Sequence, residues 1–182
     1  MAVTLAALSF VRERLSGTME LFRVSPVNSL ELLLGKYVGF GIISAVIAAI
    51  VTALSIGVLG VPLLGDPLMI VAILGLIVFA SLGLGLLISV IADSERQAVQ
   101  LALLLLLASV FFSGFVLPVQ EFRLPVQIAA YALPVTHGIR LLQDLMLRGG
   151  TFAGWQMLVL AAVGLALLVI TTLLLRRALR KG

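Results

Sequence analysis

The chain has 182 residues, of which 62% are hydrophobic and 11% charged, with a formal net charge of +4. A soluble domain carries roughly 25% charged residues, and a mean hydropathy of +1.28 leaves more apolar surface than a fold of this size can hide. That excludes an ordinary water-soluble enzyme, a disordered chain and a nucleic-acid module. No cysteines and one histidine exclude disulfides, cysteine metal sites and histidine metal clusters.

In chain order, residues 1–11 are apolar apart from Thr4 and Ser9, and Arg12-Glu13-Arg14 follow. As a helix this stretch reaches about 15 Å, half a bilayer, and it lacks the basic start of a signal peptide. It reads as the end of a truncated span, with a short interfacial anchor as the alternative. Residues 12–36 form the longest basic-side stretch. Val11, Leu15, Met19 and Phe22 recur at helical spacing opposite Glu13, Ser16, Gly17 and Glu20, which predicts an amphipathic surface helix. Ser25-Pro26 then restarts the chain as N-cap and first helical residue. Val27, Leu30 and Leu34 form one stripe of this second helix, and Asn28, Glu31 and Gly35 another. On pattern alone this region reads equally as a plain membrane-resting connector.

Four stretches free of Asp, Glu, Lys and Arg are long enough to cross a bilayer as helices: 38–60, 68–91, 98–117 and 155–175. They predict an all-α polytopic membrane protein with four full spans and one partial N-terminal span. The first three full spans occupy 37–117. Between the third and fourth, 118–153 is too apolar for a free loop. Pro118, Pro125 and Pro134 break it into pieces too short to span. After Pro134, Val135, Ile139, Leu142 and Met146 form an apolar stripe, while Arg140, Asp144 and Arg148 share another face where they can pair. Two short helices dipping into the outer leaflet are expected, either as a cap on the bundle or as pathway lining. The last span occupies 154–175, with Trp155 as its interfacial anchor, and 176–182 is a basic tail.

Nine of the twelve Lys and Arg fall in 12–36, 92–97 and 176–182, which an even number of spans places on one side. The positive-inside rule makes that side cytoplasmic, with 61–67 and 118–153 outside. Gly35 and Gly39, and Ser81 and Gly85, are small-residue pairs that permit close helix approach. His137 reads as a hydrogen-bonded structural residue outside the spans.

Glu13-Arg14-Leu15-Ser16-Gly17-Thr18-Met19-Glu20, then Ser25-Pro26 and Glu31 through Gly35-Lys36, resemble the signature of the permease subunit of type-2 ABC exporters. Ser113-Gly114-Phe115 through Pro118, Pro125, Leu133-Pro134 and Arg140 to Gly149 are similar to that family's external re-entrant hairpin. The resemblance covers essentially the whole chain and implies six spans, of which the first and most of the second are missing here. It implies that 12–24 is a connecting helix and 26–34 a coupling helix seated on a cytoplasmic ATP-binding subunit. Glu13, Arg14, Gly17, Thr18, Glu20, Pro26, Asn28, Glu31, Gly35 and Lys36 then become the coupling residues. Gly114, Pro118, Pro125, Pro134, Arg140 and Asp144 shape the re-entrant segment. A second permease subunit and the lipid bilayer are the other implied partners, with no cofactor and no nucleic acid.

The chain has no phosphate-binding loop, since Gly35-Lys36 is followed by Tyr37 and Leu30 stands where the first glycine belongs. ATP hydrolysis is therefore expected in another chain. Three other readings remain. A secondary transporter or channel lacks support from ionisable residues in the spans. An intramembrane enzyme lacks a base to activate a nucleophile. A non-transporting scaffold has no sequence feature against it.

Overall fold

The structure is a computed structural model describing residues 2–17, 28–61, 64–114, 118–148 and 154–180, with the backbone alone at 147, 148, 179 and 180. Among these, eight α-helices and one 3-10 turn follow one another: α1 (Ala2–Ala7), α2 (Ser9–Leu15), α3 (Ser29–Gly57), α4 (Pro67–Ile91), α5 (Glu95–Phe112), the turn Val119–Glu121, α6 (Leu124–Ala132), α7 (Pro134–Arg148) and α8 (Gly154–Arg180). Four of them, α3, α4, α5 and α8, are long and apolar enough to cross a membrane. The protein is thus an all-helical polytopic membrane protein.

The helix ends follow local chemistry and correct several expected boundaries. Asp66 caps α4, its carboxylate accepting from the Leu68 amide at 3.0 Å, and Pro67 fills the first helical position. The third span runs Glu95–Phe112 rather than 98–117. Ser94 Oγ accepts from Gln97 N at 3.2 Å as the N-cap, while Gln97 Oε1 accepts from Asp93 N at 2.8 Å, so the helix starts at Glu95 and takes in Arg96. Its other end stops before Gly114, which has φ +89°. The last span continues through the first residues assigned to the basic tail, to Arg180, because nothing between 175 and 180 breaks a helix.

The segment 12–36 needs the largest correction. The helix predicted through Val11, Leu15, Met19 and Phe22 stops at Leu15, where the chain turns through Gly17 at φ +75°. Thr18, Met19, Glu20, Phe22, Ser25 and Pro26 lie outside the described residues. From Ser29 onward there is no separate coupling helix. Residues 29–34 are the opening turns of the span α3, which runs unbroken to Gly57. The expected gripping stripe of Leu30 and Leu34 is exposed, and the buried stripe is instead Ser29, Leu33 and Tyr37.

Helix α4 is the axis of the bundle. In its apolar window 44% of residues are buried, against 6% in α3 and 11% in α5, so those two present most of their surface outward. Its main partners are α1, α3, α7 and α8, with smaller contacts to α2 and α5. Small residues on α4 let them close in. A Cβ added at Gly85 would lie 2.6 Å from the Val3 carbonyl oxygen and 2.7 Å from Ala6 Cβ, so only glycine admits α1 here. Around this axis Phe10, Leu33, Leu82, Leu86 and Leu175 build one core, with Tyr37 against the Phe79 ring at 5.2 Å. Ile73, Ala80, Leu141 and Leu160 build a second towards the other face of the bundle.

Candidate functional site

Two regions carry polar chemistry into this apolar bundle. The first joins α2 to the spans on the side that bears Arg12 and Lys36, here called the basic side. Helix α2 begins after a one-residue break at Leu8, so its first-turn amides need acceptors from outside the helix. Ser89 of α4 supplies one: its fully buried Oγ accepts from Phe10 N at 2.7 Å and Val11 N at 3.3 Å. One turn further along, Arg14 donates to the carbonyls of Val90 at 3.1 Å and Ala92 at 3.3 Å. A guanidinium there satisfies carbonyls that the end of α4 leaves open and sits favourably against the helix dipole.

The third tie runs to α3. Lys36 Nζ lies 2.6 Å from Glu13 Oε1, also donates to Ser9 Oγ, and stands 4.4 Å from the centre of the Phe10 ring. The Lys36 and Glu13 side chains are 13% and 26% exposed, so water screens this pair less than a surface pair. By contrast Arg12 and Glu95, at 3.4 Å, are 63% and 45% exposed, and that pair contributes little.

The second region is the hairpin of α6 and α7. Gly138 packs so closely on Ile77 that any side chain would collide with it. Ile77 lies ten residues into α4, about 15 Å from its start, or half of a hydrocarbon core. At the other end of α7, Leu64 N donates to the Met146 carbonyl at 3.4 Å, beside the start of α4. The hairpin therefore reaches mid-bundle and returns to the far side.

Its tip satisfies the backbone groups that membrane depth would penalise. The Ala130 carbonyl accepts from Leu133 N at 3.2 Å and Thr136 Oγ1 at 2.6 Å. The Tyr131 carbonyl accepts from His137 Nε2 at 2.8 Å, which places the proton on that nitrogen. Arg140 donates to the Tyr131 hydroxyl at 3.0 Å and stands 4.8 Å over its ring. His137 is a hydrogen-bonded residue on α7, outside the four candidate spans as expected, and is next in sequence to Gly138, which packs on Ile77.

Of the residues assigned to coupling, the fold brings Glu13, Arg14 and Lys36 together. Asn28 and Glu31 bond each other at the start of α3, Asn28 N donating to Glu31 Oε2 at 3.1 Å, and both are exposed. Gly17 ends α2. Gly35 and Gly39 are exposed with no neighbour facing them, so this small-residue pair joins no helices among the described residues. Among the hairpin residues, Gly114 and Pro118 flank the link from α5 to the 3-10 turn, while Pro125 and Pro134 open α6 and α7. Asp144 is half-buried on α7, one turn beyond Arg140. Ser9, Phe10, Ser89, Tyr131 and Thr136 were not anticipated. The signal available for Ser89 and Thr136 was a hydroxyl embedded in apolar sequence.

The family model of the ABC-2 type transporter matches residues 1–147. The chain is 32% identical to the inner membrane transport permease YhhJ of Escherichia coli K12, over 98% of this chain and 49% of that protein. It is 32% identical to the probable multidrug ABC transporter permease YbhS of the same organism, over 80% of this chain and 39% of that protein. It is 26% identical to ABC transporter G family member 20 of Dictyostelium discoideum, over 81% of this chain and 20% of that protein. The chain thus spans at most about half the length of these relatives, and no solved structure matches it. A family match across most of its length, on a bundle with four candidate spans and an inserted helical hairpin, shows that the chain belongs to the ABC-2 type transporter membrane family.

Proposed function

We propose that this chain forms the membrane pathway of an ATP-driven exporter in the cell membrane. In this reading its basic side and C-terminus are cytoplasmic, it pairs with a second permease subunit, and a separate ATP-binding subunit drives it through 12–36. The observation that carries the reading is the triple attachment of α2. Ser89 and Arg14 tie it to the end of α4, and the Glu13–Lys36 pair ties it to α3. A push on this region therefore reaches two spans together, whereas a plain connector needs no such ties. Names such as multidrug permease among the relatives fit this reading, while the cargo class is left unassigned.

The test uses the full-length subunit reconstituted with its ATPase. Glu13→Gln removes the carboxylate charge and leaves only a neutral acceptor for Lys36, and Lys36→Met removes the donor; a hydrogen bond to a charged group is worth about 1.5–3 kcal/mol. Each is expected to lower cargo-stimulated ATP turnover several-fold while the subunits still co-purify. The exchanged pair Glu13→Lys with Lys36→Glu should recover much of the loss. Full stimulation in both single variants would show that α2 is only a connector.

A further inference from the structure

At mid-depth, where α1, α3 and α4 meet, lies a cavity of about 290 Å³ whose walls include Ala2, Ser44, Thr52, Leu74, Ile77 and Ser81. Ser44 is fifteen residues from the start of the 29-residue α3, and Ser81 lies fourteen residues into the 25-residue α4, so both stand far from either end of their spans. Among the described residues, no ionisable side chain lines the cavity, but three hydroxyls do.

Ser44 is the distinctive member. It is 4% exposed, and its Oγ has no hydrogen-bond partner. Two other hydroxyls in these spans bond back one turn: Ser55 donates to the Val51 carbonyl at 2.8 Å and Thr172 to the Leu168 carbonyl at 2.7 Å; Thr171 Oγ1 shares with Ser44 the lack of a partner but does not line this cavity. The Ser44 hydroxyl makes no such bond and borders the cavity instead. A hydroxyl surrounded by apolar walls at membrane depth costs free energy unless something bonds it. The cavity is far larger than one water needs and close to the roughly 300 Å³ at which small-molecule pockets begin.

We propose that this cavity is a binding site for a neutral hydrogen-bonding group anchored by Ser44, with Ser81 and Thr52 as further polar wall. Two sources offer that chemistry: water, or the hydroxyl end of an amphiphile dissolved in the bilayer. A charged group is disfavoured because nothing in the walls compensates it. The site is separate from the ties of α2 to the spans, and its test needs no ATPase.

These 182 residues contain no cysteine, and with any cysteine elsewhere in the full-length subunit first replaced by serine, single cysteines report cleanly. Ser44→Cys, Ser81→Cys and the outward-facing control Ile42→Cys are placed in the full-length subunit in nanodiscs and treated with N-ethylmaleimide. The reaction requires a thiolate, which forms only where the sulfur is hydrated. Ser44→Cys is expected to react at least about tenfold faster than Ile42→Cys, given that thiolate requirement. If 1-octanol slows that reaction several-fold and octane does not, the hydroxyl of an amphiphile enters the site; if neither slows it, water is the group. Both results support the site. A rate at Ser44→Cys no higher than at Ile42→Cys overturns it. Adding Ser44→Ala to Ser81→Cys reads the same cavity from α4. Its rate should fall several-fold if Ser44 anchors the group, and an unchanged rate rules Ser44 out. Near-native melting of each variant shows that the bundle has not rearranged.

Discussion

Glu31 illustrates how one side chain can serve a helix and still face outward. Its carboxylate closes the first turn of α3 by accepting from Asn28 N, and it also lies 3.5 Å from Asn28 Nδ2. Charge and cap can be separated by substitution. Glu31→Gln keeps an acceptor for the Asn28 amide and removes the charge. Glu31→Ala removes both and should cost about 0.5–1.5 kcal/mol of local stability. If Glu31 contributes charge to an ATPase interface, Gln weakens co-purification nearly as much as Ala. If it serves only the helix start, Gln matches wild type and Ala alone shows faster amide exchange at 29–33. Affinity measured in parallel with hydrogen exchange decides between the two.

The hairpin of α6 and α7 holds its place through a glycine and a set of tip hydrogen bonds. Gly138→Leu would force the tip away from Ile77. Thr136→Val would leave the Ala130 carbonyl with one donor fewer at membrane depth. Amides at 135–146 are expected to be protected from exchange in nanodiscs, with protection lost in Gly138→Leu and reduced in Thr136→Val. Rapid exchange in the unsubstituted protein would show that α7 does not pack between the spans. The existence of these two helices was legible because three prolines and an amphipathic stripe are local signals. Their depth was not, since it depends on Gly138 meeting Ile77, 61 positions apart, and no periodicity encodes that encounter.

The four spans were readable from apolar length alone, and their ends shifted wherever a cap intervened, as at Ser94 and Asn28. The links among Glu13, Lys36, Arg14 and Ser89 were out of reach because they join residues 23 to 79 positions apart. The nine-to-three split of basic residues predicts that cysteines introduced singly at Ser94 and Asp66 label from opposite faces of intact cells, Asp66 from outside and Ser94 only after permeabilisation. Labelling of both from one face would overturn the four-span arrangement.

The length of α3 has a mechanical consequence. Its 29 residues extend about 44 Å, but the stretch from Tyr37 to Gly57 already covers about 31 Å, the thickness of a hydrocarbon core. With Tyr37–Gly57 matched to that core, the first eight residues would project about 12 Å beyond it, and Lys36 would stand at the boundary as a fulcrum. Only 6% of the apolar window of α3 is buried, against 44% in α4, so among the described residues α3 is less enclosed than α4. A rigid rod held at that point amplifies motion by the ratio of its arms. A sideways shift of about 1 Å at the Asn28 end would arrive as about 2.6 Å at the Gly57 end, in the opposite direction.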